Sequence, residues 1–344
     1  MSRAGLPPSA MDFLVGAFPA GGFALEPLKG DASDRDYCRV RFEGSSPRGA
    51  RTAVLMHVRE PGSAGARAFV QTRRILESAG VPVPALITNS PDGRFFLLED
   101  FGDVTLEGAV AGREDSPECE RLYSEALEIL LKIQFKTLAD KDSSLIPFQL
   151  AFDEEKLTWE LEFFLENVVG TYMKETIASG DGRFIREEFG KIVSELASEP
   201  RYLAHRDYHG RNLMVRDDGR IGVLDFQDAR MGPLQYDLVS LLCDSYVSLP
   251  AATASRLKER YIGSVERSAG LKVERARFER VFLLVKVQRS LKAAGSFAYL
   301  DCVKKLNRYV RHLPAALSHA FSAMDALELD GLKRTLTKYV GSGK

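Results

Sequence analysis

The chain has 344 residues, with 47 Lys and Arg against 48 Asp and Glu and a formal net charge of −1, so no global field recruits nucleic acid or a membrane surface. At 45% hydrophobic and 28% charged residues it has an ordinary globular composition, long enough for a bilobal enzyme. Cys38, Cys119, Cys243 and Cys302 lie far apart with no CxxC pair, which argues against a disulfide framework or a zinc site and points to a reducing cytoplasm; no apolar run approaches the ~18 residues of a membrane span.

The first element in chain order is MDFLVGAF at 11–18. It is read as a surface helix rather than a signal peptide, because the apolar run is minimal and Pro19 and a glycine pair follow. Strand signals cover 28–60: LKGDASDRDYCRVRF, a Gly/Ser/Pro loop, then RTAVLMHV. A helix pattern over 64–79 is closed by Gly80, and ITNSPDGRFFLLED reads as two strands around a PDG turn. These elements predict a small α+β unit over residues 1–103. From 104 to 344 the pattern turns helical, with apolar spacing of three and four over 118–139, 153–169, 184–197, 234–247, 252–268, 274–294 and 313–338.

One short β element is expected to interrupt the helices, NLMVRDDGRIGVLDF, in which DDG is a hairpin turn signal. A two-residue loop of Asp218 and Gly219 would pair 217 with 220 and set Asn212 opposite Asp225, with Cβ atoms ~5 Å apart. A three-residue loop would spoil this register. Just before the hairpin, HRDYHGRNLM at 205–214 sets Asp207 five residues ahead of Asn212, in a segment too irregular for a helix and too polar for a strand. Two oxygen ligands beside an unengaged carboxylate suit a hard cation such as Mg²⁺ that borrows phosphate oxygens. Phosphoryl transfer needs little else from a protein: metal to offset charge and a base to orient the attacking hydroxyl.

HRDYHGRNLMV followed by GVLDFQDARMGPLQYDLVSLL resembles the aminoglycoside phosphotransferase and choline kinase-like superfamily. With GDASDRDYCRV, FFLLEDFGD and QRSLKAAGSFA it is similar to the cell-wall sugar kinases that phosphorylate N-acetylmuramate and N-acetylglucosamine at the anomeric hydroxyl. The resemblance spans roughly 28–300 and implies a bilobal protein kinase-like fold, with a small β-rich N-terminal lobe and a larger, mainly helical C-terminal lobe. It implies Asp207 as catalytic base, Asn212 and Asp225 as Mg²⁺ ligands, and Asp237 as a brace that accepts backbone N–H bonds from the catalytic loop. It also implies Leu98, Glu99 and Phe101 in the inter-lobe hinge that meets the adenine of ATP.

Two departures from the family pattern stand out. GDASDRDY has only Gly30, so a phosphate cradle there would use backbone N–H groups and the Ser33 hydroxyl. The strand TAVLMHV carries Met56 where kinases place a phosphate-binding lysine; Arg39 or Arg35 is left to supply that charge.

His205 reads as a packed residue steadying the loop. His209 reads as a loop hydrogen-bonder or a substrate contact. Asp228 reads equally as a substrate contact or a turn cap. Glu160, in WELEFF, has the pattern of a solvated helix face, while the resemblance makes it a ligand for sugar hydroxyls. From Leu271 to His312 there are eleven Lys and Arg against three acids, which reads as a solvated helical face, with nucleic-acid binding as the alternative. Lys286, Arg289 and Lys292 share one face there, and one of them is expected to read an anionic substituent such as the lactyl carboxylate of N-acetylmuramate. The expected partners are ATP and a small sugar, without nucleic acid or membrane, and a monomer is favoured. An aminoglycoside or choline-type acceptor and a nucleotide-binding pseudokinase are the rival readings.

Overall fold

The computed structural model describes residues 6–19, 21–28, 35–44, 50–139 and 141–341. Five antiparallel strands, β1 (Gly22–Leu28), β2 (Arg35–Glu43), β3 (Thr52–Val58), β4 (Leu86–Asn89) and β5 (Phe95–Glu99), form one sheet in the order β1-β2-β3-β5-β4. Side chains of successive strand residues point to opposite faces. Ala53, Leu55, Phe95 and Leu97 therefore share one face, which the N-terminal helix α1 (Pro8–Ala17) covers with Ala10 and Leu14. Met56, Val58, Phe96 and Leu98 point the other way and pack against Phe69 and Leu76 of α2 (Ala64–Ser78), whose N-terminus is capped by the Ser63 hydroxyl.

The rest is mainly helical: α3 (Leu106–Val110), α4 (Pro117–Phe135), α5 (Ile146–Gln149), α6 (Glu154–Phe164), a π-helical continuation over Leu165–Tyr172, α7 (Ser179–Ala197), α8 (Tyr236–Leu242), α9 (Ala251–Ala269), α10 (Arg275–Cys302), α11 (Leu313–Ala326) and α12 (Asp330–Val340). This is the expected α+β architecture, a β-rich N-terminal part and a larger helical one. Helix α10 runs through the middle, in contact with α6, α8 and α11. Its buried residues occupy every face, including the consecutive polar trio Gln288, Arg289 and Ser290. A helix enclosed on all sides is normally apolar all round, so a buried polar step marks it for attention. Among the described residues no helix is long and apolar enough to cross a membrane.

Three expectations are corrected. Strands β6 (Arg201–Ala204) and β9 (Arg230–Pro233) pair with each other, in addition to the hairpin of β7 (Leu213–Val215) and β8 (Ile221–Val223). The hairpin register is one residue away from the two-residue-loop reading: Val215 faces Ile221, and the N–H of Leu224 donates to the carbonyl of Asn212 at 2.9 Å. Asp217, Asp218 and Gly219 form a three-residue turn with Gly219 at φ +75°, the left-handed position such a turn requires. Finally, 313–338 is two helices rather than one, broken where Glu328 adopts φ +58°.

Part of the basic excess over 271–312 is met by neighbouring acids. Arg275 pairs with Glu259, Arg277 with Glu199 and Arg280 with Glu195.

Candidate active site

The loop between β6 and β7 carries Asp207. It is held by Asp237, near the start of α8, whose two oxygens accept the backbone N–H groups of His205 (2.6 Å) and Arg206 (3.0 Å). Arg206 sits at φ +84°, a conformation that costs a non-glycine residue ~1–3 kcal/mol unless its surroundings enforce it. The ring of His205 is buried, with Nε2 2.8 Å from the carbonyl oxygen of Leu224. A second brace is Asp244, which accepts from the N–H groups of Gly210 and Tyr246, both at 2.8 Å. Space beside Gly210 is tight: a Cβ would come within 3.2–3.3 Å of Asp244, Val247 and the backbone of Glu107. Burial pushes the carboxyls of Asp237 and Asp244 up to about 6.

Asp207 accepts a hydrogen bond from Lys292 Nζ of α10 at 2.9 Å. Burial alone would raise this carboxyl, but Lys292 and Arg206 hold it well below the usual range, so it is ionised at neutral pH. The Asn212 side chain donates from Nδ2 to the Asp207 carbonyl at 2.9 Å, which leaves its amide oxygen as an acceptor. Asp225 follows the hairpin at φ +59° and bonds Gln227 Nε2 at 2.7 Å. Burial first, and then the Asp207 charge, raise its carboxyl.

Two cavities meet at Asn212 and Asp225. The first, about 290 Å³, lies under the sheet and is lined by Tyr37, Val54, Leu98, Glu99, Asp100 and Phe101, with Asn212 and Asp225 at its inner end. The second, about 250 Å³, lies in the helical part between the Asp207 loop and α10, and includes Asp207, His209, Arg211, Tyr246, Arg289 and Lys292. Both Asn212 and Asp225 line each cavity. The corrected register does not separate them, since the left-handed backbone at Asp225 lies just beyond the ladder. Among the described residues no three His, Cys, Asp or Glu side chains converge as a metal cage. An amide oxygen plus one carboxylate fits a hard cation that takes its remaining ligands from water and phosphate.

Other expected residues fall differently. Arg39 lines the first cavity, but its guanidinium is engaged by Asp100 (2.6 and 3.1 Å), by Asp103 and by the Gly102 carbonyl. It ties β2 to the segment after β5, and its charge is committed there rather than free for a phosphate. Met56 is buried in an apolar cluster with Phe69, Phe96 and Phe226, Phe69 stacking on Phe226 at 5.2 Å. Arg35 reaches the Gly65 carbonyl at 3.2 Å. Ser33 and Gly30 lie outside the described residues. Glu160 is neither on a solvated face nor on the wall of either cavity. It is fully buried, receives Gln288 Nε2 at 2.9 Å, and lies 3.5 Å from Lys156 and 3.7 Å from Arg206. Asp228 is exposed, 3.4 Å from Arg206. Of the three basic α10 residues, Arg289 and Lys292 reach the second cavity, whereas Lys286 bonds Ser322. Sequence reasoning missed Asp244 and the ion pair of Lys292 with Asp207; both depend on helices distant in the chain.

Gly222 of β8 faces the Phe101 ring, and a Cβ there would overlap it. Gly222→Ala is expected to destabilise the protein by about 1–3 kcal/mol through overpacking, measured by thermal melting; an unchanged melting temperature would show that the Phe101 ring yields to the added methyl.

The model of the phosphotransferase enzyme family matches residues 24–271. The chain is 29% identical over 310 residues to the N-acetylmuramate/N-acetylglucosamine kinase of Neisseria meningitidis serogroup B, covering 90% of this chain and 88% of that one. It is 31% identical over 304 residues to the protein of the same name from Pseudomonas putida, covering 87% and 82%. Among solved structures, the ADP-bound aminoglycoside phosphotransferase APH(2″)-Ib superposes with a TM-score of 0.60 over 93% of this chain and 99% of that one, at 16% identity. This shows the shared bilobal kinase-like fold.

Proposed function

Because this chain belongs to the phosphotransferase enzyme family, we propose that it is an ATP- and Mg²⁺-dependent sugar kinase that phosphorylates the anomeric hydroxyl of N-acetylmuramate, N-acetylglucosamine or both, yielding the sugar 1-phosphate. The observation that carries this reading is the junction at Asn212 and Asp225, where a cavity beneath the sheet meets one beside Asp207. In this assignment residues 1–103 form the nucleotide-binding lobe and 104–344 the catalytic and acceptor-binding lobe. Adenine lies against the hinge of Leu98, Glu99 and Phe101. Asn212 and Asp225 hold Mg²⁺, which offsets phosphate charge when bound. Asp207 accepts a hydrogen bond from the attacking hydroxyl and takes its proton. His205 and Asp237 support the loop.

The second cavity suits a single substituted sugar ring, and the relatives at about 30% identity carry the names of amino-sugar kinases. The test is ³¹P NMR of ATP and Mg²⁺ with N-acetylmuramate, N-acetylglucosamine, kanamycin and choline in separate tubes. An anomeric phosphate signal with an amino sugar, abolished by EDTA and restored by excess Mg²⁺, is the expected result. Phosphate transfer only to kanamycin or choline, or nucleotide binding with no transfer in any tube, would overturn it.

A further inference from the structure

Asp207 has one oxygen engaged and one free. Oδ1 accepts from Lys292 Nζ at 2.9 Å, whereas among the described residues no hydrogen bond reaches Oδ2. Arg206 Nε stands 4.0 Å from Oδ2, too far for a hydrogen bond, and is itself buried without a partner. A buried N–H and a carboxylate oxygen about 1 Å beyond bonding distance close on each other unless something restrains the guanidinium. Two other carboxylates draw its remaining nitrogens: Nη1 lies 3.4 Å from Asp228 and Nη2 lies 3.7 Å from Glu160.

Asp228 is exposed, and Glu160 is the fixed member of the pair. Glu160 is fully buried, and its Oε2 accepts from Gln288 Nε2 at 2.9 Å, one helical turn before Lys292 on α10. Its Oε1 has no hydrogen-bond partner and faces two cations, Arg206 and, at 3.5 Å, Lys156. A glutamine here would accept from Gln288 equally well without the cost of burying a charge. What the site uses is therefore the charge. We propose that Glu160 is a positioning residue: with Asp228 it holds the Arg206 guanidinium off Asp207, so that Oδ2 stays free for the attacking hydroxyl while Lys292 keeps Oδ1. Without the Glu160 charge, Arg206 closes on Oδ2 and cations cap both oxygens of the base. The inference rests on the reading of Asp207 as the base, and adds which of its oxygens works and what keeps that oxygen available.

The test is kinetic. Glu160→Gln keeps the shape and the Gln288 contact. It is expected to lower kcat by about 10-fold or more and to leave the KM for ATP within about twofold, the pattern of an interaction lost only in the transition state. In the Glu160→Gln/Arg206→Met double variant the guanidinium that caps Oδ2 is gone, so kcat is expected to be no lower than in Arg206→Met alone. Losses that multiply in the double variant, as independent structural defects do, would overturn the proposal, as would wild-type kcat in Glu160→Gln. Should Glu160→Gln fail to fold, the exposed Asp228→Asn decides: a kcat lowered a few-fold and recovered by adding Arg206→Met supports the restraint, and an unchanged kcat sinks it. If wild type phosphorylates neither amino sugar, the sugar-kinase reading fails. The same comparison is then made on ATP hydrolysis with water as the acceptor, where equal rates in wild type and Glu160→Gln refute the claim about Oδ2.

Discussion

Replacing Asp207 with alanine is expected to lower kcat by about 10²–10⁴-fold, the range of a lost general base, with a much smaller change in melting temperature. The low pKa of this carboxyl, held down by Lys292 and Arg206, fits the role. In a loose phosphoryl-transfer transition state the hydroxyl proton leaves late, so the base mainly orients the nucleophile and need not be strong. Asp207→Asn keeps the shape and the contact with Lys292 but not the charge, and is expected to be nearly as inactive. Steady-state kinetics on both variants, with nucleotide affinity measured by calorimetry, check this. Turnover within a few-fold of wild type in the alanine variant would remove Asp207 from the chemistry.

The largest effect on stability is expected from Asp237→Ala. Its two oxygens, fully buried, hold the N–H groups of His205 and Arg206. Truncation orphans both donors at ~1–3 kcal/mol each and releases the left-handed Arg206, so a loss of about 3–5 kcal/mol is expected. That corresponds to roughly 10 °C in Tm for a chain of this size. Because Asp207 follows Arg206 directly, kcat should fall as well; misplacing a catalytic group by ~1 Å can cost about 10²-fold. Asp237→Asn retains one acceptor and should lie between the two on both measures. Wild-type melting together with wild-type kcat in the alanine variant would show that the loop does not depend on this brace.

How legible these features were in the sequence depends on how far each signal reaches along the chain. Asp207, Asn212 and Asp225 stand within nineteen residues in a motif of its own, and all three line the second cavity. The hairpin register stays open in the sequence because Asp218-Gly219 is equally compatible with a two- or a three-residue loop, and only the strand ladder decides. Strands β6 and β9 are four residues each, and β9 is Arg-Met-Gly-Pro, without alternation or β-branched residues. Glu160 reads as solvent-facing because glutamates on a helix are usually on its solvated face; here it is buried, and α10, more than a hundred residues later, supplies Gln288 as its partner. The break before α12 falls at a glutamate with φ +58°, where neither glycine nor proline announces it.

The common wall of the two cavities has a consequence for inhibition. Asn212 and Asp225 line both cavities, so on the proposed assignment nucleotide and sugar would lie end to end across them. One molecule carrying adenosine and an amino sugar on a short anionic bridge can then occupy both, its second half binding at the effective concentration set by the bridge rather than at its own bulk concentration. Its affinity should exceed that of either half alone, provided the bridge matches the span through the junction.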